Sequence, residues 1–108
     1  MGELSMDSFE KVDLRIARIL TAERVEGTDR LIRLQIKIGE EERQIVAGIG
    51  ASYSPEELPG RQIVVVANLK PAVIRGVESR GMLLAAVDGG NTVLVGPERE
   101  VPDGVEVS

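Results

Sequence analysis

From Val12 the chain alternates apolar and polar residues as a half-buried β-strand does: Val12, Leu14 and Ile16 face one way, Asp13 and Arg15 the other. After Ile16 the parity changes, because Ala17 and Ile19 now carry the apolar side and Arg18 the polar one. A one-residue slip inside a continuous strand is what a β-bulge produces; it bends the strand and turns its apolar set to a new side. Small barrels need a first strand that curves in this way. The slip therefore predicts a curled sheet, with the bulge between Ile16 and Ala17.

The rest of the chain supplies strands for such a sheet. Val25 to Arg30 breaks the alternation and reads as a loop. Ile32, Leu34, Ile36 and Ile38 then alternate with Arg33, Gln35 and Lys37, a clean second strand. A turn at Gly39–Glu42 leads to a third strand, Arg43 to Ile49. Ser54, Pro55 and Glu57 stand at the N-cap, first and third positions of a short helix, which Pro59-Gly60 ends. Gln62 to Ala67, apolar on both sides, predicts a central fourth strand. Asn68 to Arg80 is a long excursion before a fifth strand, Met82 to Val87. A hairpin through Asp88–Asn91 to Thr92–Val95 and a tail strand near Val105 follow. Three strands, a short helix and two strands are the plan of a five-stranded OB-fold barrel, all-β, here with C-terminal β additions. An SH3-like barrel is the main competitor.

At 108 residues the chain is expected to form one domain, 1–108. It contains no cysteine and no histidine, which removes disulfides, thiolate and imidazole metal ligands, a cysteine nucleophile and a histidine base. Asp13 and Asp29 read as turn or ion-pair residues rather than a catalytic pair. The expectation is a protein that is not an enzyme and holds no cofactor or metal. No apolar run approaches the roughly 18 residues that span a bilayer. The acidic start, Met1-Gly2-Glu3-Leu4-Ser5, lacks the features of a signal peptide. No membrane partner and a cytoplasmic location are expected.

The net charge is −5, but it is unevenly spread. Between Arg61 and Met82 four cations (Arg61, Lys70, Arg75, Arg80) face Glu78 alone. From Leu83 to Ser108 five anions face only Arg99. OB-folds bind oligonucleotides and oligosaccharides with the second and third strands and the loops joining strands one–two and four–five. Arg24 and Arg30 flank the first of those loops, Lys70, Arg75 and Arg80 lie in the second, and Arg33 and Lys37 face outward from strand two. Topology and charge thus point to one surface. The only aromatic residues are Phe9, expected to cover one end of the core, and Tyr53. With so few rings for base stacking, phosphate contacts and shape suit the surface better, and a structured RNA better than an unfolded strand.

Asn68-Leu69-Lys70-Pro71 and Ser79-Arg80-Gly81-Met82 together resemble the signature of the tRNA-binding domain family. That family includes free-standing tRNA-binding proteins, the C-terminal domain of many methionyl-tRNA synthetases, synthetase-associated cofactors and the CsaA group of export-related chaperones. The resemblance extends through Phe9–Ile16, Thr28–Leu31, Arg43–Ile49 and Tyr53–Leu58. It implies an OB-fold, tRNA as partner, homodimerisation and association with an aminoacyl-tRNA synthetase; the CsaA branch implies unfolded polypeptide as an alternative ligand. Carried over by motif, it adds Asn68, Ser79 and Met82 to the cations. The candidate contact set is then Arg30, Arg33, Lys37, Asn68, Lys70, Arg75, Ser79, Arg80 and Met82. Each also has a plain reading: Lys70 as a solvated lysine, Arg75 and Arg80 as partners of Glu78, Ser79 as a turn residue, Met82 as core. Arg30 stands where many relatives have lysine, and Ala17 where glycine is common.

Overall fold

The clean alternation after the first loop becomes the centre of the sheet in the computed structural model, which describes residues 2–108. A four-residue helix, α1 (Met6–Phe9), is capped by the Ser5 hydroxyl and buries none of its side chains. Phe9 is 41% exposed there and stands outside the core cluster, so it does not cover the core as expected; it lines a small groove with Val12 and Val107. Strand β1 (Leu14–Arg24) follows, then β2 (Ile32–Ile38) and β3 (Glu41–Ala47), all antiparallel. Ile32, Leu34 and Ile36 are fully buried, with Ala17, Ile19, Ile45 and Ile49 in the same core. Gly39, at φ 63°, opens the two-residue turn between β2 and β3.

A single 3-10 turn, Pro55–Glu57, stands where the short helix is expected. The Glu57 carboxylate accepts bonds from the Ser54 backbone N–H (3.0 Å) and hydroxyl (3.1 Å). Leu58, just beyond, is wholly buried and fills that end of the core. Strand β4 (Gln62–Val66) pairs with β1 from Leu14 to Arg18, making it central as predicted. Beyond it lie β5 (Ala72–Ile74), β6 (Val77–Ser79), β7 (Met82–Leu83), β8 (Ala85–Asp88), β9 (Asn91–Leu94) and β10 (Glu106–Val107). The main sheet runs β3-β2-β1-β4-β7, with β10 added along β1.

The curl is real, but the bulge sits further along than the parity change suggests. Pairing of β1 with β4 is unbroken across Ile16 and Ala17, and the register shifts against β2 between Ile19 and Thr21. Ile16 and Ala17 are both buried because both faces of the strand are covered. Ala17 joins the core, while Ile16 stands outside that cluster, at the edge of β1 that β2 leaves free and the C-terminal segment extends. There the Ile16 N–H donates to the Val105 carbonyl (3.0 Å) and Gly104 N–H donates to the Ile16 carbonyl (2.7 Å).

The fifth strand also divides. Met82 and Leu83 pair with β4, but after Leu84 the chain leaves the barrel to form the β8–β9 hairpin. Val64 explains the break: its carbonyl accepts the Leu84 N–H, and its own N–H is taken by the Val95 carbonyl. The next stretch of β4 is occupied by Val101, which exchanges bonds with the Gln62 side chain. Closure between β3 and the return strand is sparse. Arg80 N–H donates to the Gln44 carbonyl (2.9 Å), Val46 N–H to the Ser79 hydroxyl (3.0 Å), and Gln44 Nε2 to the Glu78 carbonyl (2.8 Å). The architecture is an all-β OB-type barrel.

Candidate nucleic-acid interface

The loop between β1 and β2 is held rigid by its own backbone. Val25 N–H donates to the Leu31 carbonyl and Thr28 N–H to the Val25 carbonyl. Arg24 reaches across it, donating from Nη1 to the carbonyls of Asp29 (2.7 Å) and Gly50 (3.1 Å). Gly50 N–H donates back to the Arg30 carbonyl (2.8 Å). A side chain at Gly50 would collide with the Asp29 and Arg30 carbonyls, so glycine is required by close approach. Arg30 is thereby fixed at its backbone with its side chain in solvent.

The loop between β4 and β7 begins with a clamp. Asn68 Oδ1 accepts the Asp13 N–H (2.9 Å), and its Nδ2 donates to the Lys11 carbonyl (2.6 Å). Lys70 follows in the open. The excursion then folds into a hairpin, β5–β6, that the sequence did not reveal. Its tip is Arg75-Gly76, with φ 53° and 79°, so both central residues are left-handed as a type I′ turn requires. Arg75 is the only non-glycine with positive φ among the described residues. Holding it there costs on the order of 1 kcal/mol. Ser79, at the foot of the hairpin, is 4% exposed; its hydroxyl accepts from Val46 and donates to the Gly81 carbonyl (3.1 Å).

The hairpin stands beside the outer face of β2 and β3. Glu23, Arg33 and Val46 are cross-strand neighbours on that face, as are Thr21, Gln35 and Gln44. Gln35 Nε2 donates to Gln44 Oε1 (2.9 Å), whose Nε2 reaches the Glu78 carbonyl, so a polar chain ties the hairpin to the sheet. Between hairpin tip, first loop and β2 lies a cavity of about 350 Å³, lined by Arg24, Arg33, Arg75, Glu23 and Glu26. Arg33 is ion-paired with Glu23, while its Nε is buried without a partner.

The cations fall into two sets. Arg15, Arg18, Arg33, Arg43, Arg61 and Arg99 have carboxylate partners. Among the described residues Arg24, Arg30, Lys70, Arg75 and Arg80 have none, and all five lie in or beside the two loops. Lys11 and Lys37 are also without one. Lys37 is about 13 Å along the strand from Arg33 at roughly 3.4 Å per residue, next to Arg18 and Glu42, and does not share the cavity.

Of the nine expected contacts, the fold brings Arg33 and Arg75 to one cavity, with Arg30, Lys70 and Arg80 on the flanking loops. Asn68 and Ser79 have their polar atoms engaged in clamp and seam. Met82 is 48% exposed and lines a separate apolar groove of about 280 Å³ with Val46, Ala47, Ile49 and Val87. Glu23 and Gly50 escaped the sequence reading. The glycine repeat Gly48-Ile49-Gly50 was a usable signal for close approach, whereas nothing local marks Glu23.

Arg43 bonds lower the Glu41 carboxyl below its usual range against the opposing effect of desolvation, with help from Arg80. Asp103 is a sharper case at the opposite end of the sheet. Desolvation pushes its pKa up, but the Gln62 hydrogen bond, the Arg18 bond and charge, and Lys37 outweigh it and hold the carboxyl below its ordinary value. No group of three or more His, Cys, Asp or Glu side chains able to hold a metal occurs among the described residues. No helix there is long and apolar enough to cross a membrane.

Barrel, capped end and paired loops define the OB-type β-barrel class. Within that class the chain belongs to the tRNA-binding domain family: the family model described as "Putative tRNA binding domain" matches residues 14–106. A methionine–tRNA ligase of Archaeoglobus fulgidus is 55% identical over 105 residues, which are 97% of this chain and 16% of the ligase. The chain thus spans a small part of the length of that relative. The crystal structure of a MetRS-related protein from Pyrococcus horikoshii is similar with a TM-score of 0.93 at 39% identity, covering all of both chains. That of the chaperone CsaA from Bacillus anthracis (strain Ames) gives 0.90 at 36%, covering 99% of this chain and all of the other.

Proposed function

We propose that the chain is a non-catalytic, cytoplasmic tRNA-binding module that grips the shape and phosphate backbone of tRNA and assists an aminoacyl-tRNA synthetase of the methionyl type. The observation that carries this reading is the sorting of cations, with five carboxylate-free cations gathered in or beside the two loops of an acidic protein. Such a local field attracts a polyanion whatever the net charge. Arg24, Gly50 and Asn68 hold the loops before any ligand arrives, so little further ordering opposes binding. The family and the kinship with methionine–tRNA ligases support both ligand and enzyme. A module of this kind raises the concentration of tRNA near the enzyme without doing chemistry. Val87, 76% exposed on the β8–β9 hairpin, suits burial against a second copy, which would set two such faces on one dimer.

A filter-binding titration with bulk tRNA and with duplex DNA, repeated across salt concentrations, tests the reading. Preference for tRNA of roughly ten-fold or more is expected, with affinity falling steeply as salt rises. Equal affinity for duplex DNA, insensitive to salt, would sink it.

The apolar groove at Met82 favours a second reading, an extended polypeptide ligand of the kind a chaperone binds, and the likeness to CsaA points the same way. An unfolded polypeptide that binds more tightly than tRNA at the same salt would establish it over the first.

A further inference from the structure

Glu23 and Arg33 are direct cross-strand neighbours, and their ion pair forms one wall of the cavity that faces Arg75. The pair is solvent-exposed, at 61% for the Glu23 side chain and 37% for Arg33, so it adds little to folding. Its position is what matters. Arg33 spends Nη2 on Glu23 and keeps Nε buried without a partner, while Arg75 across the cavity has no carboxylate partner among the described residues. Arg24 is less free to close on an anion, because its Nη1 braces the Asp29 and Gly50 carbonyls. A backbone phosphate presents two unesterified oxygens and one negative charge, which fit a guanidinium fork on each side.

We propose that one phosphate of the bound RNA seats between Arg33 and Arg75, and that Glu23 is the built-in anion it must displace. This rests on the tRNA-binding reading and adds a selectivity device to it. A polyanion that reaches Arg33 alone exchanges one carboxylate for one phosphate and gains little. A ligand that also reaches the hairpin tip gains a second guanidinium, so Glu23 discriminates against loosely fitting anions. Glu26 lines the same cavity but holds no arginine, and therefore reports only the general effect of removing a negative charge.

The test is tRNA titration of Glu23→Gln and Glu26→Gln, each in the native background and with Arg33→Gln. Glu23→Gln tightens tRNA binding about two- to five-fold more than Glu26→Gln does, a range set by the strength of an exposed ion pair. In the Arg33→Gln background that excess vanishes, because the competition is for Arg33. The idea is overturned if Glu23→Gln gains no more than Glu26→Gln, if it weakens binding, or if its excess survives without Arg33. Should the native protein bind tRNA while these outcomes fail, only the displacement fails. Should the native protein not bind tRNA, the parent reading falls and this one with it.

Discussion

Arg18 and Arg33 both face outward from the same curled sheet and meet opposite fates. Arg18, near the C-terminal segment, is fully engaged: Nε lies 3.1 Å from both Asp103 oxygens, Nη2 donates to Glu100 (2.8 Å) and Nη1 to the Gly60 carbonyl (2.9 Å). Arg33, at the loop end, has one exposed ion pair and an unpartnered Nε. Asp103 also bonds Gln62, so the Arg18 end is a strap that fastens the chain terminus across the barrel. One end of the sheet uses its arginine to hold the fold, and the other keeps its cations available. Net charge averages over both ends, which is why −5 is a poor guide to the partner.

Three substitutions or conditions sharpen the contrast. Arg18→Ala leaves Asp103 partly buried without its hydrogen-bonded cation, and stability should fall. The thermal unfolding midpoint should drop accordingly, with tRNA affinity nearly unchanged; a large loss of affinity at unchanged stability would erase the distinction. Arg75→Asn is the mirror image. Asn-Gly is the favoured type I′ pair, so stability should rise by about 0.5 kcal/mol, while tRNA affinity drops about five-fold and its salt dependence flattens. An Arg75→Asn protein that is less stable and binds normally would refute the assignment of the tip.

The smallest effect is acidic. Asp103 is held below its usual 3.8, so its contribution is present above that value and is lost as pH falls through the lowered pKa. Backbone hydrogen exchange should therefore loosen first at Gly104 and Val105 on acidification below about pH 4. Loosening at the hydrogen-bonded loop amides of Val25 or Gly50 before the strap would contradict it.

How far the sequence could be read depends on whether the determining contact is local. The β2 alternation, the Ser54-Pro55 plug and the cation-rich loops are local patterns, and each appears where its residues predict. Parity, however, reports burial on either face and not hydrogen-bond register. Ile16-Ala17 therefore marked a doubly covered strand, while the bulge lay at Leu20. The polar motif residues were harder still. Asn68 bonds Lys11 and Asp13, and Ser79 bonds Val46, across separations that no spacing rule reaches.

The sparse seam between β3 and the return strand gives the barrel a hinge line. Among the described residues, only the Arg80 amide crosses it as a backbone bond to β3, with Ser79 and Gln44 supplying two further bonds through their side chains. The hairpin bearing Arg75 is continuous with one lip of that line, and Arg33 stands on the strand behind the other. A ligand gripping both arginines would act as a stitch across the opening. Occupancy and closure of the barrel are then one equilibrium, and tRNA should slow exchange at Val46 and Arg80 although it touches neither amide.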